Sequence, residues 1–323
     1  MYQRRDKDAA PATGTDCSPD EDENSFAVAF IRCRGHENGS FHSLQTALPI
    51  SNAFSNARLR NSTDTSMTNE TIVTAAMLAI GDELLSGRTK DKNIGHLADV
   101  MLLSGIDLKE VRIVADDEDA IVAALNALRG QYDYVFTSGG IGPTHDDITA
   151  DAIAKAFGVA CEHDAEAMRI MAEMYAKREM EFTEARQRMA RMPVGSKHIA
   201  NPVSTAPGFN IGNVYVMAGV PQVFQAMLDN VVPTLRSGTR MLSTAISCPY
   251  GEGEIGTPLG AIQKAHPDTS IGSYPRYVGQ SFSTEIVVRA RSAELVESVA
   301  AEVRAMIETI RQSKAKENQS AEA

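Results

Sequence analysis

Ser138-Gly139-Gly140-Ile141-Gly142-Pro143-Thr144-His145-Asp146-Asp147 follows the apolar run Tyr134-Val135-Phe136 and leads into Ile148-Thr149-Ala150-Asp151. The apolar run reads as a buried strand, the glycines as a bend, and the residues after Asp147 as the first turn of a helix. That order gathers free backbone N–H groups around one point, where an anion can sit without side-chain interference. The two adjacent aspartates complicate this. A carboxylate about 5 Å from a phosphate oxygen repels it by roughly 3 kcal/mol at an effective dielectric of about 20. Such a site holds phosphate only with a divalent cation between the charges. Read alone, the loop is equally a tight strand-to-helix turn; its pair of carboxylates favours a metal-bridged phosphate site.

Working outward, strand and helix patterns alternate from Ile72. Residues 73–80 form an apolar run ending at Gly81, and Ile94, Leu97, Val100 and Met101 fall at helical spacing before Ser104-Gly105. Residues 106–114 alternate apolar and polar, as in a half-buried strand. Asp116 and Asp117 are positioned to cap the next helix, which carries Ile121, Leu125 and Leu128 on one face. A third strand covers residues 132–137, and residues 149–157 form a helix closed by Gly158, with a short strand at 159–161. Strands separated by helices of this length imply a parallel sheet covered on both faces. Ligands of such sheets lie beyond the carboxyl ends of the strands. Gly81-Asp82-Glu83, Asp116-Asp117 and the 138–147 loop are three such ends, so they are expected to converge.

Further along, residues 163–192 read as helical and rich in methionine, a stripe that belongs to core or interface. The loop 201–209, with Pro202, Pro207 and Gly208, reads as a wall or a rigid connection. Gly219-Val220-Pro221 precedes another helix start. After Ser237-Gly238 the order becomes strand, helix, strand, strand, helix, the last helix covering residues 292–310. The expected fold class is α/β: a doubly wound, mainly parallel sheet over residues 71–236, then a small α+β sandwich over 237–311 and a flexible tail from 312. Residues 1–70, with an acidic cluster at 20–23 and a Ser/Asn-rich segment behind it, are expected to be a disordered extension, with Met67 as the natural start.

A chain of 323 residues with a formal charge of −11 lacks the basic stripe a nucleic-acid surface needs. Cys17, Cys33, Cys161 and Cys248 form no CxxC pair and imply neither zinc nor a disulfide framework. No apolar run is long enough to span a membrane, and a cytoplasmic location is the expectation. His145 reads as an exposed loop histidine, and Cys161 as a buried small hydrophobe.

Together, GDELLSG (81–87), VADD (114–117), SGGIGPTHDDIT (138–149), STAPGF (204–209) and MAGVPQVFQAM (217–227) resemble the molybdopterin-binding, MogA/MoaB-like domain family. The branch is the one found at the N-terminus of CinA, the competence/damage-inducible protein, and in eukaryotic FAD synthases. The resemblance covers about residues 72–232. It implies a functional aspartate pair, matching Asp116 and Asp147 here. Asp146 replaces a basic residue of the molybdopterin members, which fits the CinA branch and favours a metal over a bare pterin phosphate. Ala218 stands where a proline is usual, and Gln222 near where an acid often occurs. The CinA-type domain is associated with metal-dependent hydrolysis of ADP-ribose-like dinucleotides, and the FAD-synthase version with a similar pyrophosphatase activity. No counterpart of the amidohydrolase domain of full CinA follows, so nicotinamide mononucleotide deamidation is not expected.

The site expected from these readings has Asp116 and Asp147 as catalytic residues. Asp116, Asp146 and Asp147 hold a cation such as Mg²⁺, Mn²⁺ or Co²⁺. Ser138, Gly139, Gly140, Gly142 and Thr144 bind phosphate, with backbone N–H groups of residues 139–142 on the diphosphate. Gly81, Asp82, Glu83, Ser204, Thr205, Pro207, Gly208, Gly219 and Pro221 complete the pocket. The expected partner is a small nucleotide or a pterin, molybdopterin included, with no nucleic acid and no membrane, in a homo-oligomer. The alternative function is a non-catalytic molybdopterin or nucleotide binder.

Overall fold

A computed structural model describes residues 71–278 and 281–321. The expectations for residues 1–70, including the disordered extension and the start at Met67, lie outside the described residues. The chain runs β1 (Val73–Ile80), α1 (Asp82–Leu85), α2 (Asn93–Leu103), β2 (Ile106–Val114), α3 (Glu118–Arg129) and β3 (Tyr134–Ser138). It continues through α4 (Thr149–Phe157), β4 (Cys161–His163), α5 (Ala165–Lys177), α6 (Glu184–Gln187), β5 (Arg191–Pro193), β6 (Lys197–Ile199), β7 (Gly208–Ile211) and β8 (Val214–Met217). Last come α7 (Pro221–Val231), β9 (Leu242–Cys248), α8 (Glu252–Ala265), β10 (Ser270–Val278), β11 (Ser281–Ala290) and α9 (Ala293–Ala321).

The main sheet has the order β2-β1-β3-β8-β7-β6. Its first four strands are parallel; at one edge β7 runs antiparallel to β8, and β6 antiparallel to β7. β1 lies inside, between β2 and β3, and all its residues but Thr74 are buried. This explains its continuous apolar run, whereas β2, at the sheet edge, alternates. Ala76, Leu78 and Ile80 face a core with Ile121, Leu125 and Ile153 from α3 and α4; Ala75 and Met77 face the opposite core, with Leu97, Met101, Phe224 and Leu228 from α2 and α7. Each fully buried Met, Leu or Ile contributes roughly 1.5–3 kcal/mol. The sheet is thus clamped from both faces.

The C-terminal sheet, β10-β11-β9, is antiparallel throughout. One face packs Ile246, Cys248, Ile286 and Val288 against Ile255 and Leu259 of α8 and Val299 and Val303 of α9. This layer packs on the first. The Arg291 guanidinium is 2.7 Å from Asp107 Oδ2 of β2, and the backbone of Gly238 lies tight against that of Gly105.

Two expectations are corrected. Residues 163–192 are not one helix: α5 stops at Lys177, Glu179 takes φ 53°, and the chain turns through α6 into β5. The cause is a pairing the local pattern does not reveal, Cys161–His163 against Arg191–Pro193. Nor does the last helix end at 310. α9 runs to Ala321, its final turns held by Arg311 on Glu308 at 2.8 Å and by a Lys314–Glu254 ion pair back to α8.

Candidate functional site

The residues just beyond β1, β2, β3 and β8 enclose a cavity of about 550 Å³. Gly81 and Glu83 come from the end of β1, Asp116 from β2, residues 139–143 with Asp146 and Asp147 from β3, and residues 218–221 from β8. Asn201, Ser204 and Ala206 close one side, and Ile80, Ile141, Met189, Val223 and Met227 supply apolar wall. Gly219 and Pro221, expected in the pocket, come from the end of β8, a fourth strand end beside the three expected to converge.

Close packing dictates the glycines. Gly139 takes φ 108°, and a Cβ there would collide with the Ile80 carbonyl oxygen; Gly140 takes φ 68°, and a Cβ would collide with Thr149 Oγ1. Both backbone conformations suit glycine, and the two contacts leave no space for a side chain. The loop is pinned to the start of α4 by Thr149 N–H on Gly140 O at 3.0 Å and Thr149 Oγ1 on Gly139 O at 3.1 Å. The Gly139 N–H is already used, donating to Met217 O at 3.1 Å, which removes it from the expected anion-binding set. The N–H groups of Gly140, Ile141 and Gly142 have no acceptor among the described residues.

Adjacent acids divide their work. Asp117 caps α3, accepting the Ala120 N–H at 2.8 Å, which leaves Asp116 to face the cavity. Asp116 accepts the Asp82 N–H at 2.9 Å. Burial, then the charges of Asp82, Glu83 and Asp146, raise its carboxyl above the usual range despite that bond. Asp147 turns back on its own loop: its Oδ2 takes the Thr144 N–H at 2.8 Å and the Thr144 hydroxyl at 2.5 Å. The adjacent Thr144 side chain, the backbone and His145 hold Asp146 below the usual range, with His145 Nδ1 3.9 Å from Asp146 Oδ1.

Several expected site residues lie elsewhere. Ser138 is buried and accepts a 2.7 Å hydrogen bond from Asn93 Nδ2, outside the cavity lining. Thr144 serves Asp147, and Asp82 contributes its backbone N–H. Thr205, Pro207 and Gly208 support the wall from outside while Ser204 lines it, and both Gly219 and Pro221 line it. Among the described residues no three His, Cys, Asp or Glu side chains form a ready metal cage, so the trio Asp116, Asp146 and Asp147 is not one.

Two asparagines were overlooked. Asn93, 3% exposed, reaches from α2 to Ser138 Oγ and, at 2.8 Å, to Gly219 O, tying the ends of β3 and β8 together. Its signal was available: Asn93, Leu97 and Met101 form one buried stripe, and a polar residue opens it. Asn201 holds its loop through Ser204 Oγ at 2.6 Å and Ala206 O at 2.8 Å.

A doubly wound, mainly parallel sheet with an acidic, glycine-lined cup at the carboxyl ends of its strands defines a class of α/β domain. The chain belongs to the family described as probable molybdopterin binding domain, matched over residues 76–237, in its MogA/MoaB-like, CinA-type form. Residues 240–314 match the FAD synthase middle domain. A protein of Caldivirga maquilingensis is 37% identical over 166 residues, 50% of this chain and 65% of that protein. A CinA-like protein of Citrifermentans bemidjiense is 38% identical over 161 residues, 49% of this chain, and the match spans only 39% of that protein's length. The solved structure of CinA from Thermoplasma acidophilum, described as of unknown function, is 31% identical over 50% of this chain and 98% of its own, with a TM-score of 0.47. No helix among the described residues is long and apolar enough to cross a membrane.

Proposed function

We propose that the cavity hydrolyses a phosphoanhydride in an ADP-ribose-like or FAD-like dinucleotide with the help of a divalent cation. One observation carries this reading: Glu83, Asp116, Asp146 and Asp147 line the cavity, and no lysine, arginine or histidine does. Four carboxylates without counter-charge repel a phosphate unless a cation joins them. The missing cage does not conflict with this. Mg²⁺ commonly binds through one or two carboxylates plus substrate phosphates and keeps several waters. The donor set here suits that mode, with Asp116 and Asp146 holding the ion and Asp147 shaping the loop.

A bound cation supplies charge neutralisation and polarises the phosphoryl oxygens. The N–H groups of Gly140, Ile141 and Gly142 orient those oxygens and exclude water from one side. In the reaction the oxygen of water bonds to one phosphorus and the anhydride P–O bond breaks. The bridging oxygen stays with the departing monophosphate, and a carboxylate of the cup takes a proton from the water. For ADP-ribose the products are AMP and ribose 5-phosphate. Purified protein incubated with ADP-ribose or FAD, with Mg²⁺, Mn²⁺ or Co²⁺ and with chelator, should release AMP only with metal. An absence of turnover under every ion would sink the reading.

The second reading is a non-catalytic molybdopterin or nucleotide binder, favoured by the family match and the absence of a preformed cage. Calorimetry showing tight pterin binding, indifferent to chelation and without turnover, would select it.

A further inference from the structure

The loop between β6 and β7 is built around one buried side chain. Asn201, 7% exposed, uses all four of its side-chain hydrogen-bonding positions inside the loop. Its Oδ1 accepts the N–H groups of Val203 and Ser204 at 3.0 and 3.1 Å, and its Nδ2 donates to Ser204 Oγ at 2.6 Å and Ala206 O at 2.8 Å. Thr205 is held at φ 72°, a left-handed backbone that a β-branched residue rarely adopts, with its N–H on Asn201 O at 3.0 Å. Strain of this kind persists only where the surroundings impose it, and it gathers at ligand sites. The side chain that this loop presents to the cavity is Ser204, whose oxygen already accepts from Asn201. Its hydroxyl hydrogen has no acceptor among the described residues, so one neutral donor is left over.

Strand order gives the cavity a direction. β6 runs antiparallel to β7, and β7 to β8, so the end of β6 and the start of β7 open on the same edge of the sheet as the ends of β1, β2 and β3. The acids that line the cavity follow β1, β2 and β3, whereas Asn201, Ser204 and Ala206, between β6 and β7, carry no charge. β3 and β8 separate β1 from β7, three strand spacings or roughly 14 Å at about 4.8 Å each. One cavity reaches from Glu83 to Ala206 and thus has a charged end and a neutral end. Met189 and Ala206, both half-buried and packed on the same core, make the neutral end apolar around the Ser204 hydroxyl.

A phosphate finds no counter-charge at that end. A sugar would bring several hydroxyls to a single donor and leave most of them unpaired. A flat, neutral heterocycle suits it: the ring lies against the Met189 thioether, which favours aromatic contact, and a ring nitrogen or carbonyl oxygen accepts the Ser204 hydroxyl. We infer that Ser204 is a specificity-determining residue that hydrogen-bonds the base of a nucleoside diphosphate, whose phosphates extend along the cavity to the acids and their cation. The inference rests on reading the cup as a cation-assisted phosphate site, and deepens it: the base decides which diphosphate ester is held.

The test uses the full chain with Mn²⁺ and follows, by calorimetry, the binding of ADP and of ribose 5-diphosphate, which has the same phosphates and sugar without the base. The wild type should bind ADP at least about tenfold more tightly, as burial of a flat ring requires. Ser204→Ala should weaken ADP about threefold to tenfold, the range for one neutral hydrogen bond, and leave ribose 5-diphosphate within about twofold of the wild type. Ser204→Thr, which keeps the hydroxyl, should recover most of the ADP affinity, and this rescue separates recognition from a loop defect. Equal ADP affinity in wild type and Ser204→Ala, or ribose 5-diphosphate bound as tightly as ADP, overturns the inference and leaves the phosphate site standing. Loss of both ligands to the same degree in Ser204→Ala, or no ADP binding by the wild type at millimolar concentration, also overturns it. Ser204-dependent ADP binding without any cleavage of ADP-ribose upholds it while removing the hydrolase reading.

Discussion

The two sheets of this chain carry similar acids and treat them in opposite ways. In the C-terminal layer each of Glu254, Glu285, Glu297, Glu302 and Glu308 has a basic partner: Lys314, Arg276, Arg304, His266 and Arg311 respectively. In the cup, Glu83 and Asp116 have no basic partner among the described residues, and Asp146 has only a distant histidine. Topology explains the contrast. Parallel strands deliver their carboxyl ends to one side, so loops from four strands crowd their acids together. Antiparallel strands distribute side chains along the face, where these five acids find a cross-strand or helical neighbour. A site thus arises where connectivity forces like charges together without neutralisation.

The sharpest way to break this contrast is to neutralise one acid in each layer. Asp116→Asn should lower metal-dependent turnover by about two to three orders of magnitude, since a charge that aids the reaction is lost from the cup. Glu285→Gln, which removes a half-exposed ion pair, should leave turnover unchanged and alter stability by less than about 1 kcal/mol. Matched rates for the two variants would erase the distinction.

The junction between the layers comes next. Arg291→Ala removes one of Asp107's two basic partners and leaves Lys109, and should cost about 2 kcal/mol in denaturant unfolding at neutral pH. Burial opposes ionisation of Asp107, but Lys109 and Arg291 outweigh it and hold the carboxyl below the usual range. A depressed carboxylate stabilises the fold above its unfolded value, 3.8, and loses that contribution as pH falls through the folded value. The deficit of Arg291→Ala should therefore shrink in acid, and a deficit constant with pH would assign the loss to packing alone.

Glycines sharpen the comparison at smaller scale. Gly139→Ala meets the Ile80 carbonyl in a backbone conformation closed to alanine, and should cost about 2–3 kcal/mol by thermal or chemical melting. Gly256→Ala, in the exposed face of α8 with nothing within 4 Å of the new methyl group, should gain roughly 0.5–1 kcal/mol. Reversed signs would mean the glycine loop is far more compliant than its contacts suggest.

Much of the fold was legible because short-range periodicity carried it. α2, β2 and α4 fall where apolar spacing and end signals put them, and the strand–helix alternation led to a parallel sheet whose ends share a cavity. What escaped depends on distant partners. The break after α5 comes from the β4–β5 pairing, and the extra turns of α9 from ion pairs, one of them with Glu254 of α8. In the cup, residue types named the acids and glycines but not their division of labour. Only the backbone shows the Gly139 N–H spent on Met217 and Asp147 folded onto Thr144.

The pairing of Asp116 with Asp117 has one more consequence. Neighbours in sequence, they are committed to different masters, one facing the hollow and the other fastened to the first turn of α3. Deleting a single residue between Val114 and Glu118 would leave the composition of that stretch almost untouched. Yet one acid could no longer satisfy both duties, so the length of this short link is under tighter constraint than the identity of most residues around it.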